Sequence, residues 1–352
     1  MSKRAFLVLL FFSIIAFLPA ARSLAETAPA APSLETFSGR GVISASGVVQ
    51  FLCQWTQDDA GNEPVDRFLT RRVELALYGN PSEKSRFGII IDLTDGDLVE
   101  GAADGFEAQV REAWVGFDLH PNFSVDFGSF RTPWTLTMDA RPKEEIFVRY
   151  PLLVGANLFT PWRQTGIMAT GRGGDFLTLA VGLFNGIDNP DNFAETNNMK
   201  DTMVSVKVEY FPGFRVFLGH WGGETELGPA AASVTTEYTN TWLGTEIESG
   251  RFWLGAEALW NRVRPETGND LNAFGYQLSL AYSYRDIQPV ARYEQFDPDN
   301  GTNDDEREWT TIGVNYMIAP STRLMADYIF KSERNANQTA NDEFLLQLSV
   351  WF

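Results

Sequence analysis

The segment that decides the fold is Phe274-Gly275-Tyr276-Gln277-Leu278-Ser279-Leu280-Ala281-Tyr282-Ser283-Tyr284. Its even-numbered positions are all large and apolar or aromatic, whereas its odd-numbered positions are small or polar. This alternation predicts a β-strand with one apolar and one polar face. Strands of soluble sandwiches can alternate in the same way, but they average about five or six residues. A membrane-spanning strand needs roughly 9 to 11 residues, which is the length of this segment.

The same alternation recurs around residues 86–93, 177–183, 252–261 and 323–331. In several of these segments the second face carries charged residues, such as Asp92, Glu257 and Asp327. Charged groups need water, so strands of this kind predict a closed barrel with a polar lumen. After residue 25, no run of roughly 18 uninterrupted apolar residues occurs, which argues against helical membrane spans.

The pattern predicts an all-β fold, a transmembrane antiparallel β-barrel of sixteen strands. Tight turns are predicted at 79–81, 120–122, 173–174, 211–213, 249–250, 285–286 and 319–321. The connections between them are longer and polar, as at 186–200, 222–237, 297–307 and 332–341. Regular alternation of short and long connections is typical of barrels with short periplasmic turns and long extracellular loops.

Both ends of the sequence predict export to the bacterial outer membrane. Lys3 and Arg4 precede the apolar run Ala5–Leu18, and Ser23-Leu24-Ala25 forms a small-x-small cleavage site. Residues 1–25 are therefore predicted to be a secretory signal peptide; a retained anchor is the alternative, although the apolar run is short for a span. Residues 26–45, rich in Ala and Pro, are predicted to be a periplasmic lead-in, and residues 46–352 the barrel.

The last predicted strand places Phe344, Leu346, Leu348, Val350 and the terminal Phe352 on one face. Outer-membrane proteins commonly end on an aromatic residue that the barrel-insertion machinery recognises, so we expect that machinery to bind this strand. An ordinary final strand is the alternative. Outer-membrane lipid and lipopolysaccharide are the other expected partners.

Composition excludes several classes of function. The chain has a formal net charge of −18, which becomes −21 when the predicted signal peptide takes away three basic residues. Such a chain is not expected to bind nucleic acid. With Cys53 as its one cysteine and two histidines, it offers no Cys/His catalytic or zinc set. No catalytic, cofactor or metal residue is predicted: His220 is interpreted as a rim residue, and the acidic segment 297–306 lacks the spacing of a calcium loop.

Several short motifs between residues 67 and 186 resemble the phosphate-selective porin O and P family. The motifs are Arg71-Arg72-Val73-Glu74, Arg111-Glu112-Ala113-Trp114-Val115, Gly128-Ser129-Phe130-Arg131-Thr132-Pro133-Trp134, the strand from Gly166 to Gly171, and Gly182-Leu183-Phe184-Asn185-Gly186. The resemblance implies an outer-membrane porin with sixteen strands, usually a homotrimer, whose third outer loop folds into the pore. It also implies small anions such as phosphate as solutes.

The third outer loop is predicted from Arg131 to Trp162, within residues 131–163, and is about twice as long as any other connection. A connection of this length in a compact domain is usually functional. We expect it to form the pore constriction; a loop packed on the outer rim or at a subunit contact is the alternative. Its candidate constriction residues are Arg141, Lys143, Glu144, Glu145 and Arg149.

The predicted pore wall carries charges of both signs. Its candidates are Arg72, Glu74, Asp92, Glu112, Arg131, Lys207, Glu209, Glu257, Arg292, Glu294, Arg323 and Asp327. Anion pores use rings of Lys and Arg, so this mixture predicts at best weak anion selectivity. The predicted function is a water-filled channel for passive diffusion of small hydrophilic solutes or ions, and not an enzyme. The alternative is an enzymatic, structural or adhesion barrel without an open pore.

Overall fold

The computed structural model describes residues 36–38, 41–57, 65–94, 108–133, 135–139, 144–155, 162–186, 199–227, 234–334 and 341–352. Within them a short strand, β1 (Thr36–Ser38), precedes sixteen longer strands. The longer strands are β2 (Gly41–Thr56), β3 (Val65–Ser82), β4 (Ser85–Asp92), β5 (Gln109–His120), β6 (Phe123–Arg131), β7 (Arg163–Gly173), β8 (Leu177–Phe184), β9 (Asp201–Phe211), β10 (Phe214–Leu227), β11 (Val234–Ser249), β12 (Phe252–Pro265), β13 (Leu271–Tyr282), β14 (Ile287–Asp297), β15 (Arg307–Ala319), β16 (Thr322–Glu333) and β17 (Glu343–Trp351).

The sheet closes on itself. Each long strand pairs antiparallel with the next one along the chain, and β17 pairs with β2. At the closing contact, the backbone groups of Gly47 and Phe352 exchange two hydrogen bonds of 3.0 and 3.1 Å. A closed sheet has no edge strand and satisfies its backbone groups without water, as a membrane span requires. The prediction of a sixteen-stranded antiparallel barrel is confirmed; β1 is an additional short strand that pairs with the beginning of β2.

The alternation that predicted the strands is also the alternation of burial. On β13, Leu278 and Leu280 are 49% and 45% exposed, whereas Gln277 and Ser279 between them are 6% and 4% exposed. On β13 the large apolar side chains therefore point out of the barrel, and the polar ones point in. No helix in the described part of the chain is long and apolar enough to cross a membrane.

Tight turns of two to four residues alternate with longer connections around the whole barrel. One predicted turn is wrong. Gly79-Asn80-Pro81 belongs to β3, and Glu83-Lys84 forms the turn instead. The β3–β4 register shifts between Gly79 and Ser82, and such an irregularity accommodates a proline that has no N–H to donate. The predicted 222–237 connection is also shorter, because β10 continues to Leu227 and β11 begins at Val234.

The apolar core lies inside the barrel. Two short helices, α1 (Leu136–Asp139) and α2 (Leu152–Gly155), belong to the connection between β6 and β7. Residues of α2 pack against inward-facing side chains of strands β6 to β14. Among those are Phe130, Phe184, Trp221, Tyr238, Trp242, Leu259 and Phe296, with the rings of Phe184 and Trp221 stacked 4.9 Å apart. One side of the lumen is thus filled by apolar side chains.

Candidate pore and the loop inside the lumen

The connection between β6 and β7, which we name loop 3 (residues 132–162), contacts the inner wall on strands far from its own. The backbone N–H of Val148 donates to Asp327 on β16 at 2.7 Å, and that of Leu152 donates to Glu294 on β14 at 2.6 Å. The side-chain amide of Asn315 on β15 donates to the backbone oxygen of Ile146 at 2.9 Å. The described part of loop 3 therefore reaches across the lumen.

The first turn of loop 3 is held by Glu257 of β12. Its carboxylate accepts hydrogen bonds from the backbone N–H groups of Leu136 and Thr137, at 2.9 and 3.2 Å, and from the Thr137 hydroxyl. Gln277 of β13 donates to both Thr137 and Glu257. These donors satisfy a carboxylate that is 4% exposed. The sequence predicted that Glu257 lines the pore wall. In the structure, its carboxylate binds loop 3.

Glu145 joins loop 3 to the opposite wall. Its carboxylate lies 3.2 Å from Arg72 and 3.9 Å from Arg71, and it accepts a 2.9 Å hydrogen bond from Tyr150. Arg323 of β16 donates to its backbone oxygen at 2.5 Å. Burial by itself raises the pKa of the Glu145 carboxyl, but the guanidinium groups of Arg72 and Arg71, with the Tyr150 hydroxyl, outweigh burial and hold that pKa below its usual value.

Arg149 joins loop 3 to the last strand. Both of its donating nitrogens lie 2.8 Å from the Glu343 carboxylate, and its guanidinium lies 5.6 Å from the Trp309 ring centre. Lys331 lies 3.4 Å from the same carboxylate. A paired guanidinium–carboxylate contact of this geometry fixes orientation as well as position.

The five predicted constriction residues therefore differ in their surroundings. Glu145 and Arg149 are half-buried and ion-paired with the wall, whereas Glu144 is exposed. Arg141 and Lys143 lie outside the described residues. Of the apolar part of the loop, Leu152, Leu153 and Val154 pack against the inner wall.

The predicted wall charges form a network on β3, β5, β6 and β7. Arg72 lies 3.6 Å from Glu74 on the same strand. Glu112 lies 3.2 Å from Arg163 and 3.9 Å from Arg131, and Arg163 also lies 3.6 Å from Glu74. Each carboxylate is thus shared between guanidinium groups, so the wall presents mixed charge at close range.

Of the remaining predicted wall residues, Asp92 lies directly opposite Glu74 in the β3–β4 register, and the others lie elsewhere in the lumen. Arg292 pairs with Glu294 at 2.8 Å. Arg111 lies 3.6 Å from Asp92. The Lys207 ammonium lies 4.9 Å from the ring centre of Phe217, and Glu209 is half-buried on the same strand.

Sequence reasoning missed Arg71, Arg111 and Arg163 as members of this charge network. Arg163 is the first residue of β7 and lies directly opposite Arg131 in the β6–β7 register. A search for basic residues opposite predicted wall residues would have found it. Arg71 and Arg111 lie at register shifts, which sequence periodicity does not locate.

His220 and the acidic segment 297–306 form hydrogen bonds with nearby residues. His220 is exposed and hydrogen-bonded to Thr241 at 2.9 Å. Asp299, in the acidic segment, accepts from the N–H of Gly301 and from the Thr302 hydroxyl. Within the described ranges, no group of three His, Cys, Asp or Glu side chains is arranged to hold a metal ion.

A cavity of about 590 Å³ lies between loop 3 and the inner face of strands β10 to β14. Gly250 and Ser283, which lie in tight turns, line one end of it. The cavity therefore lies in the half of the lumen that is nearer to the tight turns.

A closed barrel whose long loop enters a charged lumen defines the porin class of outer-membrane proteins. The chain belongs to the Gram-negative porin family, whose model matches residues 13–336. It is a protein of the bacterial outer membrane. Among curated proteins, no relative matches.

Several solved structures share the fold at low sequence identity. The anion-selective porin from Comamonas acidovorans is 15% identical, with a TM-score of 0.67 over 88% of this chain and 99% of that chain. OmpT of Vibrio cholerae is 14% identical, with a TM-score of 0.65 over 90% and 100%. OmpF of Salmonella typhi is 14% identical, with a TM-score of 0.63 over 91% and 100%.

Proposed function

We propose that this porin is a water-filled channel through which small hydrophilic solutes and ions diffuse passively, narrowed by loop 3. The observation that carries the proposal is the set of contacts from loop 3 to β3 and to β12–β17. A sixteen-stranded barrel without an internal loop is wide enough for an open aqueous passage. A loop fixed across it narrows the passage and brings charged groups close to the solute, where water screens them least.

The proposed filter has two parts. Loop 3 contributes Arg141, Lys143 and Glu144, and the wall contributes the network of Arg72, Glu74, Glu112, Arg131 and Arg163. This set has five basic and three acidic residues, and each wall carboxylate is shared between guanidinium groups, so the positive excess is small. We therefore propose weak selectivity, with at most a modest preference for anions. Phosphate, which the resemblance to porins O and P suggests, is a candidate solute on this view, but strong phosphate selectivity is not expected.

We further propose that the protein is a homotrimer without catalytic activity. OmpT of Vibrio cholerae has been solved in a trimer form, and it shares this fold. The outward apolar faces are proposed to contact membrane lipid and lipopolysaccharide. The strand β17, with Phe352 directly after it, is proposed to be recognised by the barrel-insertion machinery.

The experiment is single-channel recording of the purified protein in a planar bilayer, with a salt gradient to obtain the reversal potential. We expect stepwise conductance and a reversal potential close to that of an unselective pore. A folded barrel without conductance would contradict the channel. A strong anion preference, with phosphate blocking chloride current at micromolar concentration, would contradict the weak selectivity.

A further inference from the structure

A fully buried glutamine faces the inside of the barrel behind loop 3. Gln50 of β2 is 0% exposed, and neither polar atom of its side-chain amide has a hydrogen-bond partner among the described residues. Its inward neighbours on the same strand, Val48 and Leu52, are buried and apolar. A buried amide without partners is costly, and each such group in a folded protein requires an explanation, such as a bound water or ion.

The strand pairing places Gln50 within a row of four inward-facing residues. Gln50 lies directly opposite Ser349 of β17 on one side and Arg72 of β3 on the other. Ser349 in turn lies opposite Arg323 of β16. Neighbouring strands are about 4.8 Å apart, so the two arginines are roughly 14 Å apart at the ends of the row.

Glu145 of loop 3 spans this row. Arg323 donates to its backbone oxygen at 2.5 Å, and Arg72 lies 3.2 Å from Oε1 of its carboxylate. Because these two arginines are the ends of the row, Glu145 lies over the two residues between them, Ser349 and Gln50. The unsatisfied amide of Gln50 therefore faces the underside of the loop.

The two carboxylate oxygens of Glu145 differ in their surroundings. Oε1 accepts hydrogen bonds from Arg72 and Tyr150, at 3.2 and 2.9 Å. Oε2 is buried and accepts none within the described part of the chain, since the guanidinium of Arg71, at 3.9 Å, is too far away for a hydrogen bond. Nε of Arg323 is also buried and has no acceptor within the described ranges. One acceptor, one donor and an amide that can do both thus remain unsatisfied around the same row.

We propose that the space between Glu145 and Gln50 binds water, and that Gln50 positions loop 3 through this water. The water donates to Oε2 of Glu145 and bonds to the Gln50 amide, and Nε of Arg323 donates to the same site. An anion would leave Oε2 unsatisfied, and a cation would leave the N–H of Arg323 unsatisfied. Water satisfies both, because it donates and accepts, and a buried water typically makes about three hydrogen bonds.

The site gives Gln50 a role in the geometry of the constriction. Direct hydrogen bonds hold only one oxygen of the Glu145 carboxylate, so the water-mediated contact to Gln50 fixes the other. Such a contact is nearly as favourable as a direct hydrogen bond. The proposal goes beyond the proposed channel function and does not depend on conductance.

The first test is a crystal structure of the full chain, grown in bromide and at a resolution that shows ordered water. We expect water density within hydrogen-bonding distance of both Gln50 and Glu145, and no anomalous signal there. A bromide peak at this position, a direct hydrogen bond between the two side chains, or no density between them would overturn the proposal. This test uses the unmodified chain, so it does not depend on the folding of a variant.

Single-channel recording of Gln50→Leu tests the positioning role. Leucine replaces the amide with apolar atoms and removes the bridge to Glu145. Loop 3 should then occupy displaced positions about fivefold more often, seen as time spent in current sublevels, the change expected for the loss of one hydrogen-bonded contact.

The matched control is Asn261→Leu. Asn261 is also an inward-facing amide, 7% exposed, but it donates directly to Asn240 at 2.6 Å. This variant should show the sublevels of the unmodified chain, and equal sublevels in both variants would overturn the positioning role of Gln50. A barrel that binds the water but does not conduct contradicts only the channel, and one that conducts but lacks the water contradicts only this site.

Discussion

The carboxylate of Asp327 accepts a 2.7 Å hydrogen bond from the backbone N–H of Val148, which lies 179 positions earlier in the chain. Asp327→Leu removes this acceptor and leaves a buried N–H without a partner, at a cost of about 1–3 kcal/mol. We expect a folded barrel in which loop 3 is less firmly held, seen as larger fluctuations of the single-channel current. Asp118→Leu, at a half-exposed pair with Arg86, is the control. Equal current noise in both variants would show that Asp327 does not hold the loop.

Deleting residues 138–150 should raise single-channel conductance, because it removes the part of loop 3 that carries the contacts of Glu145 and Arg149 to the wall. Deleting residues 229–232, within the connection between β10 and β11, leaves two residues for the turn between the paired Leu227 and Val234 and should leave conductance unchanged. Folding of each variant is checked by circular dichroism. If the first deletion leaves both conductance and ion preference unaltered, loop 3 is not the constriction.

Neutralising Glu112 should shift selectivity toward anions. Its carboxylate lies between Arg163 and Arg131, so Glu112→Gln leaves both guanidinium groups without this counter-charge. One charge at roughly 4 Å contributes about 1 kcal/mol in water, which corresponds to about a fivefold change in the permeability ratio. Reversal potentials in a salt gradient measure the shift. Glu308→Gln, outside this network, should have little effect, and an unchanged potential in Glu112→Gln would place the conducting path elsewhere.

Acid should loosen loop 3 through Glu145. Because the folded protein holds the pKa of this carboxyl below its usual value, its ion pairs stabilise the loop fully at neutral pH. That contribution is lost as pH falls through the lowered pKa, where the carboxylate takes up a proton. Current noise should therefore rise in acid for the unmodified chain. In the Glu145→Gln variant, current noise should already be high at neutral pH and should change little in acid. If the current noise of this variant still rises in acid as it does in the unmodified chain, groups other than Glu145 cause the effect.

Gly223→Ala should lower the thermal stability of the barrel. A Cβ at this position would collide with the Asp201 carboxylate, which accepts hydrogen bonds from the indole N–H of Trp221 and from Tyr238. Displacing a buried carboxylate from such partners costs about 1–3 kcal/mol. Gly171→Ala is the control, since nothing lies within 4 Å of its added Cβ. Equal melting temperatures in the two variants would mean that Asp201 relaxes without loss.

The barrel could be predicted because the alternation of residues that identifies a strand lies within the sequence of that strand. The alternation of Leu278 and Leu280 with Gln277 and Ser279 follows from one face meeting lipid and the other meeting the lumen. Most turn positions were predictable for a similar reason, since residues such as Pro212 and Gly213 are favoured there by their backbone preferences.

The contents of the lumen were harder to predict. A strict period of two places Arg72 and Glu74 inside and Arg71 outside, but the β2–β3 register shifts between Gln50 and Phe51. This bulge turns Arg71 inward beside Arg72, where both reach Glu145. The partners of loop 3 depend on which strands face each other across the barrel, and periodicity along one strand does not contain that information.

The hydrogen bonds between Gly47 and Phe352 make the seam of the barrel from the two ends of its long-strand region. The strand β2 therefore gains its second long neighbour only when β17, about 290 positions later in the chain, is present. Until then the growing sheet has two open edges, each able to pair with another chain. Pairing of such distant segments is also slow. During assembly, the free edge of β2 must therefore be kept from pairing with other chains until β17 binds to it.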